Sequence, residues 1–143
     1  MPGYVLVVDD DEALRSAMTE ALHEADGARE VVCAGDGDEA LEILRERELP
    51  VFVILDLMMP RVSGWEVLER MDASPVLARV PVIVVTAVGS QGELPPNRPA
   101  LHKPLDPKLF LDLARALLQE DERLTFSLNE APSDLMPRRL PRT

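Results

Sequence analysis

Three apolar runs, each ended by an acid or a hydroxyl, constrain this chain more than any other feature of its sequence. Tyr4-Val-Leu-Val-Val8 ends in Asp9-Asp10, Val51-Phe-Val-Ile-Leu55 ends in Asp56, and Val82-Ile-Val-Val85 ends in Thr86. Unbroken runs of this length, rich in β-branched residues, read as strands buried on both faces, as in a parallel sheet. A short segment after the third run ends in Lys103-Pro104. The carboxyl ends of strands are where open parallel sheets form their ligand sites. The pattern therefore gathers three carboxylates, a hydroxyl and an ammonium at one edge of the sheet.

Helical periodicity fills the gaps. Leu14, Ala17/Met18, Ala21/Leu22 and Ala25 predict an amphipathic helix over residues 12–25, closed by Asp26-Gly27. Glu30–Ala34 reads as a short strand, and the turn Gly35-Asp-Gly-Asp38 offers Asp38 as the cap of a second helix through Ala40/Leu41 and Leu44. Trp65, Leu68 and Met71 mark one face of a third helix. Asp106-Pro107 opens a last one through Leu109/Phe110, Leu113/Ala114 and Leu117, with proline at the first helical position. Strand and helix alternating at this rhythm predict an α/β fold, a doubly wound parallel sheet of five strands with helices on both faces. Residues 88–99 break the rhythm, because two glycines and three prolines leave a fourth helix degenerate. Residues 1–120 are expected to form the domain, and 121–143, with Pro132, Pro137, Pro141 and a late Arg138, Arg139, Arg142 cluster, a flexible C-terminal tail.

Composition excludes several functions. A chain of 143 residues that is 46% apolar can bury the core of one ordinary domain. A net charge of -11 argues against a sequence-independent grip on nucleic acid and against an anionic membrane surface. Cys33, the single cysteine, permits no internal disulfide and suits a reducing cytoplasm. Asp9, Asp10 and Asp11 interrupt the first apolar run too early for a signal peptide or a membrane span.

Asp9, Asp10 and Asp56 brought together would form a cluster of like charges that needs protons or a cation. Mg²⁺ is satisfied by few carboxylates plus waters and phosphate oxygens, and a carboxylate facing a phosphoryl donor can act as a nucleophile. Each residue also has a plainer reading. The aspartates at 9–11 could cap the first helix, Thr86 could be an ordinary strand residue, and Lys103 a solvated loop lysine. An aspartate set among apolar residues, as Asp56 is, is rarely buried without a partner, and it is the constellation that raises the others. Trp65 and Met71 read as packing residues, Met58 and Met59 as loop residues, and Cys33 as a small buried hydrophobe. His23 and His102 have no metal-ligand spacing.

Taken in order, Val8-Asp9-Asp10, Leu55-Asp56-Leu57-Met58-Met59-Pro60 with Gly64 behind it, Thr86-Ala87 and Lys103-Pro104 resemble the receiver domain of two-component response regulators, over residues 4–119. The resemblance implies a flavodoxin-like strand order 2-1-3-4-5. It implies that Asp56 is the phosphoacceptor, taking a phosphoryl group from a histidine kinase or phosphotransfer protein. Asp10, Asp56 and the backbone carbonyl of Met58 would hold Mg²⁺ directly, and Asp9 through water. Thr86 would turn its hydroxyl to the phosphoryl group, Lys103 would pair with a phosphoryl oxygen, and the Lys103-Pro104 bond would be cis. The protein would then be a signalling switch rather than a turnover enzyme, cytoplasmic, with output through an unidentified protein partner and no nucleic acid or membrane.

Two features depart from that family. Its members usually carry an aromatic residue three positions before the lysine, where this chain has Ala100. The stretch between Thr86 and Lys103 is also short and proline-rich. These departures favour an alternative, a pseudo-receiver that binds partners without depending on phosphorylation. An aspartate-based phosphatase would want a second aspartate two residues after the nucleophile, where Met58 stands.

Overall fold

Alternate residues of the central strands face opposite ways, and both sets are apolar. That is why the sheet is covered on both faces. In a computed structural model, which describes residues 3–87, 94, 95 and 98–130 (121–130 as helix backbone), the elements run β1 (Tyr4–Val8), α1 (Glu12–Ala25), β2 (Glu30–Ala34), α2 (Gly37–Glu46), β3 (Phe52–Asp56), α3 (Gly64–Asp72), β4 (Val82–Thr86), β5 (Ala100–His102) and α4 (Pro107–Glu130). All strands are parallel, in the order β2-β1-β3-β4-β5. Every residue of β1, β3 and β4 is buried. One face sets Leu6, Val8, Val53, Leu55 and Val84 against Leu41 and Leu44 of α2 and Val67, Leu68 and Met71 of α3. The other sets Val5, Val7, Ile54, Ile83 and Val85 against Met18 and Leu22 of α1 and Phe110, Ala114 and Leu118 of α4. Each such aliphatic side chain taken fully out of water contributes roughly 1.5–3 kcal/mol. The switch in winding direction falls between β1 and β3, where Asp9 and Asp56 leave their strands side by side.

Helix starts follow local chemistry. Asp11 Oδ1 accepts from the N–H groups of Ala13 and Leu14, so Asp11 caps α1 and leaves Asp9 and Asp10 free of that task. Asp36, not Asp38, caps α2, its carboxylate accepting from Glu39 N at 2.8 Å. Asp38 sits inside the first turn, where an acid still favours the helix dipole. Ser63 and Glu66 form a reciprocal capping box on α3.

Three further expectations change. Trp65 is 43% exposed at the start of α3, because Val67, Leu68 and Met71 fill the buried face. Cys33 is exposed, since β2 is an edge strand covered less completely than β1. The last helix continues to Glu130, beyond residue 120 where the tail was expected to begin. Among the described residues no helix stands between β4 and β5, while most of 88–99 and all of 131–143 lie outside the described residues. Ala100 pairs with Val84 and packs half-buried against the core.

Candidate functional site

Parallel register places the chemistry in a row. Leu57 N donates to Val85 O at 3.0 Å and Lys103 N to Thr86 O at 2.8 Å, so the backbone ladder runs one residue past the strand ends. Asp9 follows the Val8–Leu55 pair and so leaves β1 level with Asp56. Asp56 pairs with Val85 and Thr86 with His102, so Thr86 and then Lys103 each lie one residue further along the neighbouring strand. Asp9, Asp56 and Thr86 are 0%, 2% and 3% exposed, while Asp10 is open to solvent. One oxygen from each of Asp9, Asp10 and Asp56 lies within 4.8 Å of the others.

Lys103 Nζ donates to Asp56 Oδ2 at 3.1 Å and stands equally close to Asp9 Oδ2. The second approach lacks hydrogen-bonding geometry, so Asp9 Oδ2 is a buried acceptor left without a hydrogen bond. Asp9 Oδ1 accepts from Asp11 N at 2.9 Å, and Asp56 Oδ1 from Met58 N at 3.0 Å. Burial pushes the Asp56 carboxyl up, the Met58 N–H holds it back, the Asp9 charge pushes again and Lys103 opposes; the balance lies above the ordinary aspartate value. Burial alone would lower the Lys103 ammonium, but its hydrogen bond to Asp56 and the close carboxylate charges of Asp56 and Asp9 outweigh that and raise it. The Lys103-Pro104 bond is cis.

Gly64 lets the loop after Asp56 close. Its N–H donates to Leu57 O at 3.1 Å, and a Cβ there would run into the carbonyl oxygen of Asp56 and the Cα of Leu57. Arg61, at φ 64°, reaches from the same loop to Asp36 Oδ2 at 2.7 Å, tying the loop before α3 to the cap of α2. An apolar cleft of about 530 Å³ opens to one side between α1 and α4, lined by Leu14, Met18, Leu105 and Phe110, with Asp11 and Lys103 at its mouth.

The fold thus brings together the side chains expected from the sequence, with carboxylate oxygens of Asp9, Asp10 and Asp56 within 4.8 Å of one another, Lys103 paired with Asp9 and Asp56, and Thr86 at the adjacent strand end. Met58 is represented by its N–H on Asp56, with its side chain 59% exposed. Sequence reading passed over Arg15, whose Nη1 donates to Asp9 O at 2.7 Å. The only signal it offered is a cation close behind an acidic helix start.

The donor set fits a divalent cation. Hard carboxylate oxygens converge, one of them is buried and unbonded, and a single ammonium stands against the charge of three acids. Among the described residues no helix is long and apolar enough to cross a membrane.

Comparison with known proteins agrees with this geometry. Residues 5–94 match the response regulator receiver domain family. The chain is 30% identical over 146 residues to the DNA-binding dual master transcriptional regulator RpaA of Synechocystis, covering 94% of this chain and 59% of that protein. It is 43% identical over 89 residues to the phosphate regulon transcriptional regulatory protein PhoB of Rhizobium meliloti, covering 62% and 38%. The chain thus spans about half the length of such relatives. Among solved structures, a putative response regulator from Chloroflexus aurantiacus superposes with a TM-score of 0.67 at 27% identity, covering 83% of this chain and 99% of that one. The receiver domain of a Colwellia psychrerythraea regulator shares the fold, with a TM-score of 0.69 at 23% identity over 82% and 98%. With its five parallel strands in the order 2-1-3-4-5 and its acidic pocket at their carboxyl ends, this chain belongs to the response regulator receiver domain family of two-component signalling.

Proposed function

We propose that the chain is a phosphoacceptor of a two-component phosphorelay, with Asp56 as the nucleophile and a histidine kinase or phosphotransfer protein as the donor. The observation that carries this reading is a nearly buried Asp56 carboxylate held by an ammonium at 3.1 Å beside two further carboxylates. An Asp56 carboxylate oxygen attacks the phosphorus of a phosphohistidine. The P–N bond breaks, the imidazole leaves with its electron pair, and the product is an acyl phosphate on Asp56. Lys103 pairs with a phosphoryl oxygen, giving up part of its bond to Asp56 as that carboxylate becomes the acyl phosphate. Thr86 donates its hydroxyl to another. The residues that would hold Mg²⁺ are Asp10, Asp56 and the Met58 carbonyl directly, with Asp9 through water. A bound divalent cation would neutralise the carboxylates and the charge on the phosphoryl oxygens. Signalling then passes to a protein partner through the changed surface, in a soluble cytoplasmic setting.

Intact-mass analysis after incubation with acetyl phosphate tests this. Gain of one phosphoryl group that requires Mg²⁺ and is absent in Asp56→Asn is the expected result. Ala100, half-buried where the family usually carries an aromatic, favours a second reading as a pseudo-receiver. Failure to form the adduct, with beryllofluoride also failing to bind, would favour it.

A further inference from the structure

Resting on that reading of the acidic pocket, we propose that Arg15 is a positioning residue, whose guanidinium fixes the Asp9–Asp10 peptide and so sets the direction in which Asp10 presents its carboxylate to a divalent cation. Arg15 Nη1 donates at 2.7 Å to the carbonyl oxygen of Asp9, the oxygen of the peptide that joins the two acids. Asp9 is fastened elsewhere too. Its N–H donates to Ala34 O at 3.1 Å, its Oδ1 accepts from Asp11 N at 2.9 Å, and its Oδ2 faces Lys103 at 3.1 Å. Asp10 has no such support. It is exposed, and among the described residues no side-chain hydrogen bond holds its carboxylate. Its orientation is therefore inherited from the peptide plane before it, and Arg15 holds that plane.

The placement of Arg15 is otherwise unexpected. It lies one turn into α1, its N–H bonded to Asp11 O, near the positive end of the helix dipole where a cation is disfavoured. The guanidinium lies beside Gly35, the residue after β2, close enough that a Cβ there would be in van der Waals contact with Nη1 at 3.4 Å.

Two effects of removing Arg15 oppose each other, and this makes the idea testable. Loss of a nearby positive charge would by itself tighten cation binding. Loss of a group that orients a ligand weakens it, typically by tenfold or more. Mg²⁺ affinity can be read without phosphorylation, by titrating the fluorescence of Trp65, the sole tryptophan, which follows Gly64 in the first turn of α3. Isothermal calorimetry serves as the second readout.

The experiment compares the full chain with Arg15→Met, Arg15→Gln and Arg15→Lys. Arg15→Met is expected to bind Mg²⁺ about tenfold more weakly. Arg15→Lys, which keeps a donor of nearly the same reach, is expected to recover part of the loss. At saturating Mg²⁺ the rate of labelling by acetyl phosphate should return to that of the parent, separating affinity from chemistry. If Arg15→Met does not fold by circular dichroism, Arg15→Gln takes its place, its shorter amide falling short of the carbonyl. Unchanged or tighter Mg²⁺ binding in the folded variant would overturn the proposal. A parent chain that binds no Mg²⁺ would instead overturn the reading of the pocket on which it rests.

Discussion

The Lys103 ammonium bonds to Asp56 Oδ2 at 3.1 Å across 47 residues of sequence, and stands at the same distance from Asp9 Oδ2. One cation thus serves two carboxylates that are almost wholly buried. Lys103→Met removes it and leaves like charges facing each other. In metal-free buffer at neutral pH the variant should lose about 1–3 kcal/mol of stability, read as a lower thermal midpoint. Added Mg²⁺ should restore part of that loss. A midpoint equal to the parent's would mean the pair contributes nothing to the fold.

Asp56 titrates above the ordinary aspartate value, with burial as the leading cause. Its folded-state value is raised, so stability from its protonated form is present below the unfolded value and is lost as pH rises through the folded one. Asp56→Asn stays neutral throughout and should be the more stable protein at neutral pH without metal. Its advantage in thermal midpoint should be small near about pH 3 and widen toward about pH 7. A constant difference across that range would contradict a raised Asp56.

Gly64 and Gly27 predict opposite results from one substitution. A methyl group at Gly64 meets the Asp56 and Leu57 backbone, which cannot move without shifting the site, whereas at Gly27 it meets only His23 O at 3.5 Å. Gly64→Ala should cost about 1–3 kcal/mol, and Gly27→Ala should stay within about 0.5 kcal/mol of the parent, by urea denaturation.

The cap of α2 can be assigned by substitution. Asp36→Ala removes the acceptor for Glu39 N and should cost about 1 kcal/mol, whereas Asp38→Ala should be nearly neutral. Arg61→Ala should change stability by less than about 0.5 kcal/mol, since Arg61 is 72% exposed in its ion pair with Asp36. A larger loss for Asp38→Ala than for Asp36→Ala would return the cap to the residue suggested by the sequence.

By itself the sequence determined the strands, the parallel sheet and the identity of the acidic pocket. Unbroken apolar runs are legible here because they are only four or five residues long and rich in valine and isoleucine, which suits a strand buried on both faces rather than a helix. Asp9, Asp10, Asp56, Thr86 and Lys103 were visible because each ends a run or follows a short one, and a buried acid needs a partner. Tertiary structure alone decided which partner each took. Asp11 captures the cap of α1 and leaves Asp9 and Asp10 to the pocket, a division that three consecutive identical side chains cannot announce. Trp65 and Cys33 lie exposed because coverage depends on which element packs above them, α3 turning its Val67 face inward and β2 standing at the sheet edge. Arg15 is the clearest case. Its bond to the Asp9 carbonyl arises only when the first turn of α1 folds back over the end of β1, a distance fixed in space rather than along the chain.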